Sequence, residues 1–141
     1  LSELRKSLRL DAADQLGELP ALLWNKSDRD GWLKMNAALS RLVIRLSLAG
    51  VHPDLTERVR VSALGFWNSV HVVGDDERGE VWSVSDAADE EWTEASSVVA
   101  ELLGVNSAIK SWRIGRRVRR QLRKWDEAEQ AKLASAGEAA Q

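Results

Sequence analysis

The stretch KSWRIGRRVRRQLRKW, residues 110–125, carries eight basic residues, two tryptophans and no acid. Residues of these types do electrostatic work rather than covalent chemistry. At about 100° per residue, Ile114, Val118, Leu122 and Trp125 share a narrow apolar arc, and the cations cover the opposite half. Arg113, Arg116, Arg117, Arg120, Arg123 and Lys124 are the candidate phosphate contacts. Each phosphate they neutralise releases condensed counterions. Six of the eight bases are arginine, which favours bidentate phosphate contact and stacking. Trp112 falls among the arginines, as does Ile109. An exposed Trp there would stack on an unpaired base, worth ~1–3 kcal/mol. A bend at Gly115 would instead return both residues to a core.

The same helix has other uses. It could pair with the acidic helix before it, joined through Gly104 and Val105, as an αα-hairpin. Exposed Glu–Arg pairs along that seam would contribute only ~0–1 kcal/mol each. The basic arc is too wide to face one neighbour, so several arginines remain for another partner. It could also dock on an acidic protein or on a second copy of the chain, since Arg and Trp are both enriched at interface hot spots. An anionic membrane surface is disfavoured because the apolar arc is narrow and needed by the core.

Net charge is −2 over 141 residues, but the charge is strongly segregated. Residues 75–103 hold ten acids against Arg78, and residues 126–141 hold four acids against Lys132. There are no cysteines, which excludes a disulfide framework, a thiolate metal site and a thiol nucleophile. No apolar run is long enough for a membrane span, and no signal pattern opens the chain. These features predict a cytoplasmic protein.

No catalytic constellation emerges. Neither His52 nor His71 has a ligand or nucleophile at a diagnostic spacing, and no phosphate-binding, zincin or nucleophile-elbow motif occurs. Asp75, Asp76, Glu77 and Glu80 lack the spacing of a calcium loop and read as a solvated turn. Glu90 and Glu94 form a carboxylate pair of a kind found on most surface helices. The expectation is a protein that is not an enzyme and that needs no metal or cofactor.

The elements that must position the basic stretch read as helices. Residues 2–16 carry Leu4, Leu8 and Leu16, with a break at Gly17 and a new turn beginning at Pro20. Residues 31–49 give the clearest pattern. Trp32, Met35, Leu39, Leu42, Leu46 and Ala49 repeat at spacings of 3, 4, 3, 4 and 3. Leu33, Val43, Ile44 and Leu48 widen that face, which predicts the central core helix, with Asp30 as N-cap and Gly50 as stop. Lys34, Arg41 and Arg45 share its polar side and would extend a phosphate track. The next helix, about 53–68, opens on Pro53 and buries Leu55, Val59, Ala63, Phe66, Trp67 and Val70. VHVV and EVWSV around GDDERG predict a short hairpin near 70–84; the competing reading extends the helix to Val73. Ser85 caps an acidic helix that buries Trp92, Ala95, Val99, Leu102 and Leu103, and Gly104 ends it.

Two helices around Gly50 followed by a hairpin have the outline of a winged helix-turn-helix, with Arg58, Arg60 and Asn68 outward. The long first helix and the acidic wing count against that reading. The sequence therefore predicts a mainly α fold, a compact bundle of about five helices with one short β-hairpin. Residues 1–136 would form a single helical domain and 137–141 a frayed tail. The expected function is non-catalytic binding of nucleic acid, DNA or RNA, through helix 107–125, as an accessory protein or small subunit of a nucleoprotein complex. The alternative is an assembly module using the same helix on an acidic protein or a second copy.

Overall fold

The computed structural model describes residues 2–104 and 130–137. Among them are five helices and one two-stranded antiparallel hairpin, so the fold is mainly α with a short β-hairpin. The chain falls into two compact units, Leu1–Asn106 and Ser107–Gln141.

The first unit begins with α1 (Ser2–Leu23), one continuous helix. The expected interruption at Gly17 and Pro20 does not occur. Pro20 removes the bond to the Leu16 carbonyl, but only three residues of helix follow it. Burial of Ala12, Leu16, Leu19 and Leu23, each at most 3% exposed, holds the last two turns on the core. The apolar stripe accordingly lies later than expected, and Leu4 and Leu10 are exposed.

Helix α2 (Gly31–Leu48) buries Met35, Ala38, Leu39, Leu42 and Leu46. It ends as the sequence predicts. Gly50 takes φ +82°, the Val51 N–H reaches the Leu46 carbonyl at 3.0 Å, and the Gly50 N–H reaches Ser47 at 3.1 Å. These two bonds make a Schellman closure. Its start differs from expectation. Asp30 occupies the N-cap position without a side-chain capping bond. The Asp28 side chain instead accepts the N–H of Asp30 itself at 3.2 Å.

Helix α3 (Pro53–Ser69) is capped by His52, whose Nδ1 accepts the Asp54 N–H at 3.1 Å. It buries Thr56, Val59, Ser62, Ala63, Phe66 and Trp67. Strands β1 (His71–Asp76) and β2 (Gly79–Ser83) pair antiparallel, with an irregularity between Val72 and Gly74. Pairing continues through Asp75 and Asp76 to a tight turn at Glu77–Arg78, so the loop is shorter than the sequence suggests. Every residue of β1 is exposed.

Helix α4 (Asp86–Leu102) starts on Ser85, whose hydroxyl accepts the Ala88 N–H at 3.2 Å. It buries Trp92, Ala95 and Val99 as expected, and Leu103 just beyond it is also inside, but Leu102 is 59% exposed. Helix α1 packs chiefly on α2 and α3 chiefly on α4, with α2 against α3 joining the pairs. Trp24 meets Phe66 edge-on at 5.4 Å between centroids, a favoured aromatic geometry.

In the second unit, residues 130–137 are helical and exposed throughout. Gly137, where the expected tail begins, is helical, and the remainder of that tail lies outside the described residues.

Candidate nucleic-acid interface

The candidate contacts Arg113, Arg116, Arg117, Arg120, Arg123, Lys124 and Trp112 lie outside the described residues. So does the expected pairing of their helix with α4. The described cations of the first unit can be placed, and they show how much of that unit is free to meet a polyanion.

Five of its eleven basic side chains, Lys26, Lys34, Arg45, Arg58 and Arg60, are already engaged. On α3, Arg60 is forked onto Glu57, with Nε donating to Oε2 at 2.9 Å and Nη2 to Oε1 at 2.5 Å. Helical spacing of three places the two side chains side by side. The Arg60 hydrogen bonds hold the Glu57 carboxyl below its ordinary pKa, and the carboxylate raises that of Arg60. Arg58 reaches Glu94 of α4 at 3.2 Å. The two arginines of the would-be recognition helix are thus both paired with carboxylates. The hairpin behind them presents Asp75, Asp76, Glu77 and Glu80, all exposed. A phosphate backbone would meet repulsion there.

The expected extension along α2 is also divided. Lys34 donates to Asp28 Oδ2 at 2.7 Å. That hydrogen bond, with the Asp30 N–H, lowers the pKa of Asp28 and raises that of Lys34. Arg45 donates to Gln15 Oε1 of α1 at 2.9 Å, a neutral partner that leaves its charge in place. Arg41 is exposed and has no hydrogen-bond or ion-pair partner among the described residues.

Lys26 has a role that the sequence did not reveal. Its Nζ donates to the carbonyls of Trp67 and Val70 at 2.9 and 3.0 Å and lies 5.8 Å from the Trp67 ring centroid. It closes the carbonyl end of α3, where the helix dipole favours a cation. Forty-one residues separate Lys26 from Trp67, so no local pattern could have signalled the contact.

Among the described residues, no group of His, Cys, Asp or Glu converges to hold a metal ion, and no helix is long and apolar enough to cross a membrane. No protein-family model matches this chain. No curated protein and no solved structure matches it either.

Proposed function

We propose that this protein binds nucleic acid through the arginine-rich segment 107–125, as a non-catalytic accessory protein or small subunit of a nucleoprotein complex. The observation that carries this reading is the partition of charge between the two units. Residues 1–106 hold eleven basic and eighteen acidic residues, a net charge of −7; residues 107–141 hold nine basic and four acidic, a net charge of +5. Within the first unit, Lys34, Arg58 and Arg60 are paired with carboxylates. The unbalanced positive charge of the chain therefore sits in 107–125.

Arg113, Arg116, Arg117, Arg120, Arg123 and Lys124 contact phosphates, and Trp112 stacks on a base. Backbone contacts of this kind give affinity with little sequence choice. The test is a fluorescence-anisotropy titration with single- and double-stranded DNA and RNA. Wild type is compared with the triple variant Arg116→Glu, Arg117→Glu, Arg120→Glu. Salt-sensitive binding that the variant loses supports the reading. A folded wild type that binds none of the four probes at low salt rejects it and turns the search to an acidic protein partner.

A further inference from the structure

Helix α2 carries a second apolar stripe that no element among the described residues covers. Leu33, Ile44 and Leu48 are 66%, 60% and 60% exposed. With Ala37 they fall within an arc of about 60°, opposite the core residues Met35, Leu42 and Leu46. An amphipathic helix of a small domain normally has one such stripe. On one side of the exposed stripe an open groove runs between α2 and α3, lined by Leu39, Val43, Ile44 and Leu64 with polar Asn36 and Ser40 and the Glu57-paired Arg60. On the other side stand Lys34, Arg41 and Arg45. Residues 31–48 contain these three bases and no acid.

We infer that this face of α2 is a docking site for an amphipathic helix of a partner protein, one with carboxylates along one flank of its apolar stripe. The partner's apolar residues lie over Ile44, Leu48 and the groove wall at Val43 and Leu64. Its carboxylates meet Arg41, which is unpaired among the described residues, and Arg45, whose partner among them is the neutral Gln15. The stripe from Leu33 to Leu48 is roughly 22 Å long, so about four turns of partner helix cover it. This is the helix-in-groove mode of recognition. Charge decides among occupants. A second copy of the same face would oppose cation to cation. An anionic bilayer would meet Glu57 as well, exposed on the α3 bank beside Arg60. The residues of this surface all belong to the first unit, and the inference does not depend on the nucleic-acid reading.

The test uses the full chain and a labelled helical peptide of about 18 residues, with leucines at i, i+4, i+7 and i+11 and glutamates along one flank. A second peptide carries lysines in place of the glutamates. Each is titrated into wild type, Ile44→Asp, Leu48→Gln, Arg41→Glu and the triple variant at Arg116, Arg117 and Arg120. The acidic peptide should bind wild type and the triple variant alike, which separates this site from the basic segment. Ile44→Asp should weaken binding about tenfold or more, as loss of an apolar anchor does. Leu48→Gln should weaken it less, and circular dichroism should show both variants folded. Arg41→Glu should reverse the preference between the peptides. Binding that is absent, or that ignores Ile44 and Arg41, overturns the inference. Two further arms replace it if they score instead: self-association of wild type that Ile44→Asp abolishes, or Ile44-dependent binding to phosphatidylserine vesicles without peptide binding.

Discussion

Lys26 and Trp67 are joined twice: the Lys26 ammonium donates to the Trp67 carbonyl at 2.9 Å and lies 5.8 Å from the centroid of its ring. The pair ties the loop after α1 to the end of α3. Lys26→Met keeps the aliphatic stem but leaves the Trp67 and Val70 carbonyls without their charged donor. Hydrogen bonds to charged groups are worth ~1.5–3 kcal/mol, and the variant should lose about that much in chemical denaturation. An unchanged midpoint would show that water replaces the ammonium without loss.

Gly31 opens α2 under the same loop. A Cβ built there would stand 2.2 Å from the Asn25 carbonyl oxygen and 3.3 Å from the Trp67 ring. One contact is backbone and the other a buried ring, so neither yields easily. Gly31→Ala should destabilise by about 1–3 kcal/mol, the range for overpacking. Gly17, with nothing within 4 Å of such an atom, is the control. Gly17→Ala should be neutral or stabilising, because it raises helix propensity.

Two candidate caps separate on structure. The Ser85 hydroxyl accepts the Ala88 N–H at 3.2 Å, while its backbone N–H donates to the Ser69 hydroxyl at 3.1 Å; losing the hydroxyl cap, Ser85→Ala should cost ~1 kcal/mol. Asp30 makes no side-chain capping bond, and Asp30→Ala should stay within about 0.5 kcal/mol. Thermal or denaturant midpoints of the two variants measure the contrast directly.

What the sequence could and could not show follows from the range of each interaction. Gly50, Ser85 and the stripe from Met35 to Leu46 act within a few residues and were legible. The hairpin was legible too, although its strands run closer to the turn at Glu77–Arg78 than composition implied. Pro20 misled because local propensity argues for a break, while burial of Leu19 and Leu23 is a tertiary effect. Leu33, Ile44 and Leu48 read as core because periodicity reports that a face is apolar, not whether anything covers it. Of the candidate site, the cations of 107–125 were legible as charge. The pairing of Arg58 depends on α4, 36 residues away at Glu94, and was not.

Acid should loosen the α1–α2 loop through Asp28. Its pKa is lowered by the Lys34 hydrogen bond and the Asp30 N–H, below the ordinary 3.8. A carboxylate whose folded pKa is depressed stabilises the fold fully above its unfolded value and loses that contribution as pH falls through the folded one. Wild type should therefore exceed Asp28→Asn in stability by a constant margin at neutral pH. The margin should shrink only below about pH 4 and close under still stronger acid. A margin that is constant down to that range and below would mean the Asp28–Lys34 pair contributes nothing.

The central claim is that segment 107–125, not the first unit, meets the phosphate backbone. The most direct measurement is the slope of log binding constant against log salt on one duplex DNA and one single-stranded RNA. Each phosphate contacted contributes about −0.9 to the slope on duplex DNA and about −0.7 on single strands. Wild type should show a steep slope on at least one ligand. The Arg116, Arg117 and Arg120 triple reversal should flatten it, and reversal of Arg58 and Arg60 on α3 should leave it unchanged. A slope that the triple reversal leaves intact, or that falls with Arg58 and Arg60 instead, would contradict the account.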